Sequence, residues 1–321
     1  MPQKDFASYL ETPWFDGHQL WELVALPDNV PILLMLILVV FYLVMAYRQA
    51  RANDRLIVAL ENDAELAKNH HRTTYPWHPT WDRTVSVWPH LLKREFLAAI
   101  IVTAFLLVWS IFLNAPLEDP ANPTLTMNPS KAPWYFLGLQ EILVYFDPWI
   151  AGVMLPFMIV GGLMAIPYLD VNPLGNGYYT IRQRRFAIGT FMFGFLVLWV
   201  ALVILGTFMR GPGWMFFYPG ETWDHTKVVF EVNRDLHEIF GISGKMPVMM
   251  FGAAVCAVYS VICGAAFHGW FRKTSMYGRM SRLQYGHLLF FFVTMMALPI
   301  KMILRLGFNV KYVWVTPWFN I

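Results

Sequence analysis

The stretch Asn128-Pro129-Ser130-Lys131-Ala132-Pro133-Trp134-Tyr135-Phe136-Leu137-Gly138-Leu139-Gln140-Glu141 gathers two X-Pro turns, an indole, a phenol and a carboxylate. The residue before a proline is pushed out of the α region, so Asn128-Pro129 and Ala132-Pro133 break the chain into turns. From Trp134 onward the spacing predicts a short amphipathic helix. Trp134, Leu137 and Glu141 fall at i, i+3 and i+7 and share one face, while Tyr135, Leu139 and Leu143 share another. The stretch lies between two segments apolar enough to cross a membrane. Irregular backbone there is tolerated only where protein buries it or where it lines a cavity. A cavity walled by Trp, Tyr and a carboxylate suits an apolar ring with two hydrogen-bonding oxygens, which is the chemistry of a quinone.

Oxidising a quinol requires two proton acceptors. A carboxylate shielded from water exchanges its proton nearer the working pH than a solvated one does. Glu141 is the first candidate for that role; Asp147 and Glu118 are alternatives, solvated on the loop. Tyr135 is placed to donate a hydrogen bond to a quinol oxygen or to a redox partner docked nearby. Anchoring in an aromatic belt accounts for Tyr145 and Trp149. It does not account for a carboxylate facing an apolar bundle, where an ionisable group is expensive and usually functional.

The elements that position these residues are membrane helices. Of the 321 residues, 57% are hydrophobic and 14% are charged, against about a quarter charged in soluble domains. The apolar residues form runs long enough to span a bilayer. Six spans are expected, at roughly 30–47, 96–113, 149–168, 186–208, 247–268 and 285–304, giving an all-α polytopic bundle with the candidate loop between spans two and three. Acidic residues precede the first span (Glu11, Asp16, Glu22, Asp28) and basic ones follow it, the reverse of a cleaved signal peptide.

Lys and Arg set the orientation. Arg48, Arg51, Arg55, Lys93 and Arg94 lie between spans one and two. Arg182, Arg184 and Arg185 lie between spans three and four, and Arg272, Lys273, Arg279 and Arg282 between spans five and six. All three clusters fall on one side, the n side. Both termini, the 114–148 loop and the 209–246 loop are then expected on the opposite, p side. The net charge of +3 reflects this asymmetry, and no basic stripe outside the membrane flanks points to nucleic acid.

Three blocks are visible: 1–92, with one span and a polar n-side segment; 93–208, three spans around the candidate loop; and 209–321, a p-side loop, two spans and an aromatic tail. Within the first block Ala50–Ala67 predicts a helix leaving the membrane, and His70–Pro89 is irregular. Two bis-His haems would require four histidines inside spans. Here His18, His70, His71, His78, His90, His225 and His237 lie outside the spans, and only His268 and His287 touch span ends. Interfacial side chains account for those two better than a single haem held between them, so the chain is not expected to ligate haem. No metal site is expected. Cys256 and Cys263, seven apart in span five, make neither a haem-attachment nor a zinc pattern and are expected to be packing residues.

The residues then resemble the C-terminal part of cytochrome b, the family of subunit IV of cytochrome b6f complexes. Its Pro-Glu-Trp-Tyr motif is matched by Ala132-Pro133-Trp134-Tyr135. Its connection after the next span is matched by Pro167-Tyr168-Leu169-Asp170-Val171-Asn172-Pro173 followed by Arg184-Arg185-Phe186-Ala187. Trp88-Pro89 and Phe96 resemble the lead-in, where the phenylalanine borders an n-side quinone pocket. The resemblance covers about 85–210. The family glutamate is replaced by Pro133, so its role does not carry over to that position, and Glu141 is the candidate substitute. The first and last two spans are additions that resemble extended bacterial forms.

The resemblance implies a split cytochrome b. A partner chain would carry the first four helices and both b haems, with a Rieske [2Fe–2S] protein and a cytochrome c subunit alongside, in a dimeric complex of a bacterial plasma membrane. It implies a quinol:cytochrome c oxidoreductase in which this chain, without covalent cofactor, completes the p-side quinol pocket. Pro133, Trp134 and Phe136 would be walls, Tyr135 an oxygen contact and Glu141 a proton exit. Phe96 would serve the n-side pocket, with Lys93 or Arg94 nearby. The segment from Arg210-Gly211-Pro212-Gly213-Trp214 through Trp223-Asp224-His225 is expected either to dock a partner or to cap the bundle. The competing reading is a non-catalytic membrane anchor or scaffold, favoured by the lost glutamate. A transporter would show internal symmetry, which the sequence lacks.

Overall fold

Apolar runs of bilayer length propagate as long helices, two of them with an internal proline, Pro167 and Pro299. The computed structural model describes residues 17–26, 28–70, 86–113, 120–124, 126–174, 177–217 and 233–321. Its helices are α1 (Gly17–Ala25), α2 (Val30–Asn62), α3 (Ala64–Asn69), α4 (Val87–Phe112), α5 (Trp134–Tyr145), α6 (Ile150–Leu169), α7 (Ile181–Phe208), α8 (Leu236–Ile239), α9 (Lys245–Phe271) and α10 (Arg282–Phe308). Six of them, α2, α4, α6, α7, α9 and α10, are long and apolar enough to cross a membrane. This bears out the expected spans: the chain is an all-α, multi-pass membrane protein.

The first span and the polar helix expected after it form one helix, since nothing between Tyr47 and Asn62 interrupts the backbone ladder. Asp63 ends it and caps α3, its Oδ1 accepting from the N–H groups of Glu65 at 3.0 Å and Leu66 at 2.9 Å. Of the expected irregular stretch His70–Pro89, residues 71–85 lie outside the described residues.

Two compact units form: residues through Arg51 together with Thr124 onward, and residues 52–123. In the smaller unit the apolar stretch of α4 buries no residue. A helix surface of this kind must meet lipid or another polypeptide.

In the larger unit, α5 lies against the last turns of α7, and α10 packs on α5, α6 and α7. Their meeting point is a core of Ile142, Tyr145, Phe146, Ala151, Leu202 and Leu298. At the far end of α9, Phe267 and Phe271 stack at 5.1 Å and are surrounded by Phe186, Trp270, Tyr277, Tyr285 and Phe292. The turn between α6 and α7 is tied by Asp170, which pairs with Arg184, and by Asn172, whose Nδ2 donates to the Gln183 carbonyl at 2.6 Å. After α10 the chain reverses at Asn309, which takes the left-handed conformation (φ 56°) common at helix C-termini. Residues 310–321 fold back so that the Asp147 N–H donates to the Asn320 carbonyl at 3.2 Å. Cys256 and Cys263 are free thiols, each half-buried.

Candidate functional site

The expected helix after Pro133 is present as α5. Pro133 stands at its N-cap in an extended conformation, and Gln140, one turn from its end, reaches back over the turn that precedes it. Gln140 Oε1 accepts from the Ala132 N–H at 2.7 Å and its Nε2 donates to the Ser130 carbonyl at 2.9 Å. Lys131 Nζ donates to the Thr207 carbonyl at 2.8 Å, tying the same turn to the last turn of α7. Two glycines lie where α5 and α7 meet. A Cβ at Gly138 would meet Trp199 and Val203 at 3.4 Å, and one at Gly206 would meet the Leu137 carbonyl at 3.4 Å.

One face of α5 is buried: Leu137, Gly138, Glu141, Ile142 and Tyr145. Glu141 is 0% exposed. Its carboxylate receives Arg210 Nη2 on Oε1 at 2.6 Å and Arg210 Nε at 3.1 and 3.0 Å from the two oxygens. The Tyr145 hydroxyl donates to Oε1 at 2.7 Å, and Trp214 Nε1 donates to Oε2 at 3.3 Å. Arg210 also donates from Nη1 to the Trp214 carbonyl at 3.1 Å. A buried charge is tolerable only when paired and hydrogen-bonded, and this carboxylate has both. Burial works against the Arg210 charge, but Glu141 outweighs it, so the guanidinium is held more firmly protonated than usual. Burial, and then the Glu141 charge, push the Tyr145 phenol well up from its ordinary value. Burial lowers Lys131 to about 8, with Glu141 pulling in the opposite direction.

Arg210 sits in a tight turn that its neighbours close. The Gly211 N–H donates to the Met215 carbonyl at 3.0 Å, and the Phe217 N–H donates to the Met209 carbonyl at 2.9 Å. A Cβ at Gly211 would come within 2.5 Å of the Phe217 ring, and Gly213 takes φ +68°, so both positions require glycine. Residues 210–217 fold onto α5 through Arg210 and Trp214, as a cap would. Trp223, Asp224 and His225 lie outside the described residues.

Tyr135 faces the other way. Residues 135 and 141 are separated by six steps of about 100°, which puts them on different sides of a helix. Tyr135 is 50% exposed and Phe136 54%. With Trp134 they form an aromatic ledge, the Trp134–Tyr135 rings 5.7 Å apart and the Tyr135–Phe136 rings 4.8 Å apart. Pro133 is exposed beside them. Tyr135 and Phe136 are thus exposed, while Glu141, about 120° round the helix from Tyr135, is buried. Asp147 serves as a local cap, its Oδ1 accepting from the Trp149 N–H at 2.9 Å. Glu118 is outside the described residues. Phe96, in the smaller unit, is exposed on α4. His268 Nδ1 lies 2.8 Å from the Tyr285 hydroxyl, and His287 Nδ1 lies 2.8 Å from the Leu283 carbonyl.

Sequence reasoning missed Arg210 and Lys131 as members of the site. The available signal was charge at a membrane boundary: Arg210 ends a charge-free span, as Glu141 stands alone in an apolar helix.

Two relatives are each named menaquinol:cytochrome c reductase cytochrome c subunit. The one from Geobacillus thermodenitrificans is 31% identical over 96 residues, 28% of this chain and 38% of that protein. The one from Bacillus subtilis is 32% identical over 95 residues, 27% of this chain and 36% of that protein. The chain thus spans little more than a third of the length of either relative. No solved structure matches it. The family model for cytochrome b(C-terminal)/b6/petD matches residues 120–217, which hold the aromatic ledge, α5, α6, α7 and the Arg210 turn but not Trp88, Pro89 or Phe96. The match to the cytochrome b C-terminal family thus covers residues 120–217, less than half of the chain.

Proposed function

We propose that this chain is the haem-free subunit of a split cytochrome b in a quinol:cytochrome c oxidoreductase, and that it completes the p-side site of quinol oxidation. The observation that carries this reading is the aromatic ledge of Pro133, Trp134, Tyr135 and Phe136, with Tyr135 and Phe136 exposed, on a helix held by the Glu141–Arg210 pair. The relatives are named as menaquinol reductase subunits, which makes menaquinol the substrate to test first. Both termini lie on the p side of a bacterial plasma membrane in this reading. The b haems reside on a partner chain and the [2Fe–2S] centre on a Rieske protein, with a cytochrome c subunit and a second copy of the complex completing the assembly.

In this proposal the Pro133, Trp134 and Phe136 surfaces hold the ring by apolar contact, and the Tyr135 hydroxyl donates to one of its oxygens. Glu141 exchanges a proton when Arg210 moves off its oxygens and otherwise clamps the 209–217 segment to α5. Lys131, brought near neutral pH by burial, is a second group able to exchange a proton beside it. Phe96 belongs to a separate n-side pocket.

A second reading, a membrane scaffold without catalytic part, is favoured by one observation: every oxygen of Glu141 is engaged, and the family glutamate position holds Pro133. Gentle purification of the tagged chain with its partners, followed by a redox difference spectrum, iron analysis and a menaquinol:cytochrome c assay, separates the two. Two b haems, a Rieske signal and quinol-dependent reduction are expected. A complex that retains its other subunits but oxidises no quinol would establish the scaffold.

A further inference from the structure

The family resemblance gives no role to α2, yet α2 forms one wall of a cavity that opens at the candidate site. Leu34, Leu38, Tyr42 and Leu43 of α2 face Trp134 and Phe195 across a cleft of about 520 Å³, within the range of small-molecule sites. Residues from Pro31 to Ala46 line it. At 1.5 Å per residue it therefore runs about 22 Å along α2, most of a hydrocarbon core about 30 Å thick.

We infer that this cleft holds the isoprenoid tail of the quinol whose ring lies on the aromatic ledge, an inference that rests on the quinol reading above. Three features select this occupant. No lining residue is charged, so the cleft offers nothing to a phosphate headgroup. Trp134 belongs both to the cleft and to the ledge, so a chain leaving the ring at Trp134 enters the cleft without crossing protein. The walls are aliphatic side chains, Met35 among them, with the rings of Tyr42, Trp134 and Phe195, which match a methyl-branched hydrocarbon chain by contact alone. The lipid-facing side is open, Leu34 and Tyr42 being more than half exposed, so the tail enters sideways from the bilayer.

The test uses the assembled complex carrying wild-type chain, Leu38→Trp, Leu34→Phe or Val40→Trp. Val40 is exposed on α2 but does not line the cleft. Two quantities are read: isoprenoid quinone extracted per complex, and KM for a long-tailed menaquinol against the tail-less menadiol. Leu38→Trp and Leu34→Phe are expected to lose most of the bound quinone and to raise KM for the tailed substrate about tenfold, because several buried CH₂ groups are displaced. Menadiol should be unaffected, and Val40→Trp should behave as wild type. Equal quinone in all four preparations, phospholipid in place of quinone, or equal KM changes for both substrates would overturn the inference. A complex inactive toward either quinol would fail the functional reading by itself. Quinone retention would then still decide the cleft: loss in the cleft variants supports it, and no loss refutes it.

Discussion

Glu141 and Arg210 stand 69 residues apart in the chain and 2.6 Å apart in the fold, with neither side chain open to water. Removing one member leaves an uncompensated buried charge, at a cost of about 3–5 kcal/mol. Arg210→Met should therefore destabilise the chain sharply, and Glu141→Leu combined with Arg210→Met should recover much of that loss. Thermal unfolding of the purified complex in a double-mutant cycle measures the coupling. Additive losses would mean that the two side chains act separately.

Glu141→Gln keeps the size of the side chain and one acceptor oxygen for Arg210 Nη2 and Tyr145, but removes the charge and replaces the oxygen that accepts from Trp214 by a donor. If the carboxylate exchanges a proton, menaquinol oxidation should slow at least about tenfold, in the range of a lost acid–base group, with subunits and haems still in place. Unchanged turnover would assign Glu141 to structure alone.

Tyr135 contributes a ring as well as a hydroxyl, since it packs between Trp134 and Phe136. Each such aromatic pair is worth about 0.5–1.5 kcal/mol beyond its buried area. Tyr135→Phe should accordingly cost less in kcat/KM than Tyr135→Ala. Losses of equal size in the two variants would place the whole effect on the hydroxyl.

Lys131 gives a pH signature with a defined sign. Its folded value of about 8 lies below the ordinary 10.5, so between those limits the unfolded chain binds more protons than the folded one. Stability then rises with pH across that window, and below about pH 8 the buried ammonium is a standing cost. The Tm of wild type should climb between pH 8 and 10 relative to Lys131→Met. Parallel curves for the two proteins would show that Lys131 titrates as a solvated lysine.

The spans were legible because charge-free runs of bilayer length have few other uses. The buried face of α5 was legible from spacing: Leu137 and Glu141 are both inside, as i, i+4 geometry requires. The partner of Glu141 was not legible, because no periodicity links positions 141 and 210; only the return of α7 alongside α5 does. The segment from Arg210 through His225 reads in sequence equally as a docking loop or a cap. Residues 210–217 fold onto α5 because Gly211 admits Phe217 against its Cα and Arg210 points inward. The separation of Tyr135 from Glu141 was available from helix rotation alone. The cleft beside Trp134 was not, since it depends on where α2 lies.

The distance in sequence between Glu141 and Arg210 also fixes an order of events during synthesis. The carboxylate of α5 leaves the ribosome before α6 and α7 exist, and Arg210 follows only after α7 is complete. At about 5–20 residues per second, 69 residues take about 3–14 s. Until then the carboxylate has no Arg210 to pair with, so burying it charged is costly and it is buried either protonated or not at all. The charged pair that holds α5 against α7 therefore completes only after both helices that follow α5 have been made.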